Sequence, residues 1–121
     1  MTQNQNSKQY DLEERTLRFA KDVREFVKKL SKNLANIEDG KQLVKASGSV
    51  GANYIEANEA LSRKDFVMRI KICRKESKES RYWLKLTETN NDPGQEREKQ
   101  GLIQEATELM SIFGSILQKT K

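Results

Sequence analysis

The 121-residue sequence contains no histidine, one cysteine, one proline and six glycines. Without histidine there is no imidazole for acid–base catalysis, for a Ser–His or Cys–His nucleophile pair, or for the usual zinc sites. A lone Cys73 cannot close an internal disulfide, which points to a reducing cytoplasm. The few Pro and Gly residues supply too little punctuation for the many tight turns of a sandwich or barrel. No run approaches the roughly 18 apolar residues of a membrane span, and Met1–Tyr10 has no apolar core of a secretion signal. No Gly-rich phosphate loop and no paired catalytic carboxylate motif is identifiable. These absences favour a binding or structural protein over an enzyme, with no catalytic residue, metal or cofactor expected.

What the sequence does have is charge and helical period. Hydrophobic residues make up 35% and charged residues 34% of a chain long enough for one domain. Met1–Tyr10 reads as a polar, disordered tail and residues 11–119 as a single domain. Asp11 and Glu14 form an Asp-x-x-Glu start signal. Leu12, Thr16, Phe19, Val23, Phe26 and Leu30 then recur at helical spacing, predicting a first helix over about 12–30. Asn36 is the expected cap of a second helix over about 37–61, with Val44, Ser47, Val50, Gly51, Tyr54, Asn58 and Leu61 along its inner face. Gly48 and Gly51 either let a neighbouring helix approach closely or break this helix in two. Ser62 and Asp65 open a third helix over about 63–89. The run Asn90–Gly94 is the clearest turn, with Pro93 fixing φ and Gly94 tolerating positive φ. A fourth helix over about 95–118 gathers Leu102, Ile103, Ala106, Leu109, Met110, Phe113, Ile116 and Leu117 in one arc. Four amphipathic helices on short connections predict an all-α, up-down-up-down four-helix bundle.

The third helix carries three faces when plotted at about 100° per residue. Phe66, Ile70, Cys73, Ser77, Ser80 and Leu84 form the seam toward the bundle, where Cys73 is a small buried hydrophobe. Met68, Ile72, Trp83 and Leu86 form a second apolar stripe. It either completes a broad core against two neighbours or forms an interface with another copy of the chain, with Trp83 as anchor. Lys64, Lys71, Arg74, Lys78, Arg81 and Lys85 form a third, basic stripe. Residues 63–88 hold nine basic and four acidic side chains, an excess of +5 that equals the net charge of the whole chain. Such a row attracts phosphate backbones through counterion release, and Tyr82 at its edge is placed to stack on an unpaired base. The alternatives are a solvated helix face or a surface for an acidic protein.

Ser47, Asn53-Tyr54-Ile55-Glu56-Ala57, Lys64-Asp65-Phe66 and the run Lys75-Glu76-Ser77-Lys78-Glu79-Ser80-Arg81-Tyr82-Trp83-Leu84 resemble a known family. It comprises the four-helix-bundle proteins encoded in intervening sequences of bacterial 23S ribosomal RNA genes, labelled S23 ribosomal proteins. The accessory variability proteins of diversity-generating retroelements are related to it. The resemblance implies a ring-like homopentamer around a central channel, and a basic surface that binds RNA or DNA and a nucleic-acid enzyme such as a reverse transcriptase. The sequence departs from the pattern at Gly51, where many members carry Pro. Asn53, Glu56, Glu76 and Glu79 read as a structural polar network fixing the register between helices, with Arg69, Lys75 or Tyr82 as partners. A di-metal bundle site would use Glu-x-x-His, which this sequence cannot form. The reading is therefore a non-catalytic, oligomeric nucleic-acid-binding bundle; the alternative is a protein-interaction scaffold or accessory subunit. Membrane binding is not expected, because the apolar faces are needed to complete the bundle.

Overall fold

The computed structural model describes the backbone of residues 3–121 and the side chains of residues 12–121. Four helices follow one another: α1 (Gln3–Lys29), α2 (Leu34–Asn58), α3 (Arg63–Leu86) and α4 (Pro93–Lys119). Each packs against its neighbour in the chain and α4 returns to α1, while among the described residues the diagonal pairs stay apart. This is the expected up-down-up-down bundle. Among the described residues, the α2–α3 pairing is the most extensive and the α1–α4 pairing the least. Phe19, Val23, Phe26, Leu43, Val50, Ile70, Cys73, Leu84, Leu109 and Phe113 are almost completely buried at the centre. All but Leu43 are positions that the helical period selected, because a 3.6-residue repeat puts i, i+3, i+4 and i+7 on one side. At the start of α2 the buried residue is Leu43, and Val44, read as inner, is half-buried.

Three helix starts are capped by side chains. Asn33 Oδ1 accepts from the Asn36 backbone N–H at 2.8 Å, Ser62 Oγ from Asp65 N–H at 3.0 Å, and Asp92 Oδ1 from Gln95 N–H at 2.9 Å. Each satisfies a donor that the first helical turn leaves without a partner. Pro93 occupies the first turn of α4, where its missing N–H costs nothing.

Several boundaries differ from the sequence reading. The segment read as a tail is helical from Gln3; residues 3–10 contain neither Gly nor Pro, so a helix anchored further along propagates through them at little cost. Met1 and Thr2 lie outside the described residues. The cap of α2 is Asn33, and Asn36 is buried instead. The second helix ends at Asn58, which leaves Leu61 in the connection and 99% exposed rather than on the inner face. It runs unbroken through Gly48 and Gly51. A Cβ at Gly51 would stand 3.0 Å from Thr16 Oγ1, so the missing side chain sets how closely α1 approaches. The third helix ends at Leu86 because Thr87 turns extended and its hydroxyl donates back to Leu84 O at 2.6 Å. In the turn that follows, the positive φ values belong to Asn90 and Asn91, while Gly94 is helical.

One glycine is open to improvement. Gly101 lies inside α4, and a Cβ there would meet nothing within 4 Å. Gly101→Ala is expected to stabilise the fold by about 0.5–1 kcal/mol through lower chain entropy. Thermal unfolding should show a midpoint a few degrees higher.

Candidate nucleic-acid interface

The basic stripe of α3 runs along the seam with α4. Arg81 Nη1 donates to Thr107 Oγ1 at 3.3 Å, and Arg74 Nε lies 4.0 Å from where a Cβ on Gly114 would stand. The two contacts are antiparallel in register and bracket the middle of the stripe. Lys64, Lys71, Arg74, Lys78 and Lys85 are exposed, and Arg81 is half-buried by its contact with α4. Beyond the end of α3, Lys99 of α4 donates to Thr87 O at 2.9 Å.

The electrostatics of this seam depend on what α4 leaves out. The segment of α4 opposite the stripe, residues 103–117, contains two carboxylates, Glu105 and Glu108. Both turn the other way, toward α1. Arg15 Nε and Nη2 donate to Glu105 at 2.7 and 2.8 Å, and Arg15 Nη2 also reaches Glu108 at 2.7 Å. The clamp holds Arg15 charged through its hydrogen bond to Glu105, and hydrogen bonds from Gln104 and Arg15 hold Glu108 below the usual carboxylate range. On the stripe side, Arg81 and Arg74 approach α4 at the uncharged Thr107 and Gly114. Among the described residues, no ion pair involves any cation of α3. The field of the row is therefore not cancelled at contact distance.

Tyr82 borders the stripe, 56% exposed, with its ring edge-to-face against Trp83 at 5.1 Å and 72°. The contact fixes the ring while leaving surface for stacking. The second apolar stripe is split by the fold. Ile72 and Trp83 are half-buried, Trp83 against the central cluster, whereas Met68 and Leu86 are 47% and 43% exposed. The core reading of this stripe therefore describes only its half-buried part.

The four polar residues expected to form one network are not joined as such. Asn53 Oδ1 accepts from Arg69 Nη1 at 3.0 Å, tying α2 to α3, and its Nδ2 donates to Ser49 O at 2.9 Å. Glu56 is exposed on the outside of α2, and Glu76 and Glu79 share the α3 surface. Among the described residues, no hydrogen bond or ion pair involves these three carboxylates. Burial, and after it the charge of Glu79, push the Glu76 carboxyl above its ordinary range. The register lock instead comes from Asn36, which sequence reading assigned to a cap. Buried at the end of the bundle, its Nδ2 donates to Ser31 O and Glu88 O at 3.0 Å, and its Oδ1 accepts from Glu88 N–H at 2.9 Å. The sequence reading also missed Thr107, Gly114 and the Arg15 clamp. The run of uncharged residues from Leu109 to Leu117 was the available signal.

The structure argues against reactivity at Cys73. It is fully buried, its Sγ lies 3.4 Å from Val50 O, and burial pushes its thiol up to about 12. No cluster of three or more carboxylate or thiol groups gathers in a metal-binding arrangement among the described residues. No helix among them is long and apolar enough to cross a membrane.

The fold is similar to that of a crystallised protein of unknown function from the S23 ribosomal protein family of Bacteroides thetaiotaomicron VPI-5482. The two share 28% sequence identity and superpose with a TM-score of 0.75, covering 87% of this chain and 96% of that one. None of the curated proteins matches the chain. Residues 8–115 match the model of the 23S rRNA-intervening sequence protein family, with the bundle from near the start of α1 to near the end of α4 inside the match, and the chain belongs to that family.

Proposed function

We propose that this protein is a non-catalytic, oligomeric helical bundle of the cytoplasm that binds RNA or DNA along the α3–α4 seam. The observation that carries the reading is the row Lys71, Arg74, Lys78, Arg81 and Lys85 beside a wall of α4 whose carboxylates are engaged on the opposite side by Arg15. Cations without a carboxylate at contact distance gain most from phosphate, because no internal pair has to be broken first. Tyr82 adds a stacking surface at the margin, and Lys64 extends the row toward the start of α3.

Titration of a structured RNA and a matched duplex DNA with nuclease-treated protein tests this. The affinity should fall linearly with salt on logarithmic axes, with a slope near −0.9 per phosphate neutralised on duplex DNA. Absence of binding to either at about 50 mM salt would overturn the proposal and leave the scaffold reading, in which the same face meets an acidic protein such as a nucleic-acid enzyme.

Assembly belongs to the same proposal, as the ring-like homopentamer that the family resemblance implies. Exposed Met68 and Leu86, continuous with half-buried Ile72 and Trp83, support an interface on α3. Because Trp83 also packs on the core, the cleaner variant is Met68→Asp/Leu86→Asp, which changes exposed side chains alone. It is expected to reduce the light-scattering mass to the 14.0 kDa of a single chain with helicity retained. An unchanged multimeric mass would remove α3 from the interface.

A further inference from the structure

The end of α1, the connection after it and the start of α2 enclose an open groove of about 690 Å³. Its floor is aliphatic, made by Val27, Leu30, Ile37 and Val44. Gly40 completes the floor, and a Cβ there would stand 3.1 Å from Val27 Cγ1. Ile37 is 43% exposed, and Leu34 beside it is 79% exposed. Every charged residue lining the groove is a lysine: Lys28, Lys32, Lys41 and Lys45. Lys28 and Lys41 each hold only an exposed carboxylate three residues back on the same helix, Glu25 and Glu38. Such pairs contribute little and are readily exchanged. No ion pair among the described residues involves Lys32 or Lys45.

We propose that this groove docks an acidic amphipathic helix of a partner protein. An apolar trough between two helices receives the ridge of a third, with anchors at i, i+3 or i+4, and i+7. A rim whose charged residues are all lysines selects glutamate and aspartate on the flanks of that ridge. Nucleic acid fits poorly, because the lining holds no aromatic ring for a base and its floor offers phosphate nothing. The volume lies in the range of ordinary ligand sites, about 300–1,000 Å³. The groove and the α3–α4 seam are on different helix pairs, so both can be occupied at once.

The probe is a fluorescein-labelled designed peptide with Leu at i, i+3, i+4 and i+7 and Glu on its flanks, followed by anisotropy at about 0.1 M salt. The expected result is saturable binding. Lys32→Glu/Lys45→Glu should weaken it at least tenfold, Ile37→Asp should abolish it, and Lys71/Arg74/Lys78→Glu should leave it unchanged. All variants are exposed substitutions and are compared at equal helicity. Equal binding of a scrambled peptide of the same composition would overturn the proposal, as would binding indifferent to Lys32 and Lys45. Capture of anionic phospholipid vesicles without peptide binding would assign the groove to lipid. A fall in multimeric mass on Ile37→Asp without peptide binding would assign it to a second copy of this chain. Either result also overturns the proposal.

Discussion

Reversing three charges of the α3 row, Lys71/Arg74/Lys78→Glu, is expected to weaken binding to duplex DNA at least about 100-fold at 0.1 M salt. All three side chains are exposed and make no ion pair among the described residues, so the change removes attraction and disturbs only the approach of Arg74 to Gly114. Glu is about as good a helix former as Lys and Arg, so α3 should persist. If all three contact phosphates, the salt slope on duplex DNA becomes shallower by about 2.7, since each neutralised phosphate contributes about 0.9. The control is Lys21/Lys32/Lys45→Glu, which changes the net charge equally but on α1, the α1–α2 connection and α2. A general charge effect would weaken both variants alike. Equal loss in the two would refute a localised site, whereas loss confined to the α3 variant locates it.

Asn36→Ala should be among the most damaging single polar substitutions, destabilising the bundle by about 2–4 kcal/mol. Its side chain is 3% exposed and joins the α1–α2 connection to the start of the α3–α4 connection through Ser31 O, Glu88 O and Glu88 N–H. Truncation strands the Glu88 carbonyl and N–H, while Ser31 O keeps its bond from Asn33 N–H. A buried donor or acceptor left without a partner costs more than the bond itself contributed. The thermal midpoint should fall by about 10 °C. Asn33→Ala, which removes the actual cap of α2, should cost only about 1 kcal/mol. The order of the two losses distinguishes the roles: an Asn36 that merely capped α2 would give the smaller loss.

The contrast between Asn33 and Asn36 shows where sequence reasoning ran out. Both are residues that favour helix starts, three positions apart and just ahead of an apolar run, so local chemistry does not choose between them. What decides is Glu88, 52 positions away, whose backbone needs both a donor and an acceptor when α3 ends beside α2. Leu61 shows the same limit. Its spacing continues the inner face of α2, yet the Ser62 cap that starts α3 requires the chain to have left the helix already.

The existence of four helices, the Phe19–Phe26, Val50–Tyr54, Ile70–Leu84 and Leu102–Phe113 core faces, the Ser62 cap and the basic row of α3 were all legible in the sequence. They depend on the 3.6-residue period and on hydrogen bonds between near neighbours, and both are set by backbone geometry within a few residues. Only the tertiary structure decided that the row lies along α4, that Glu105 and Glu108 face Arg15 instead of it, and that Trp83 is half in the core while Met68 and Leu86 are outside. Those outcomes depend on the relative rotation and register of two packed helices. That rotation is settled by how all their side chains interlock, and the charge pattern of a single helix does not contain it.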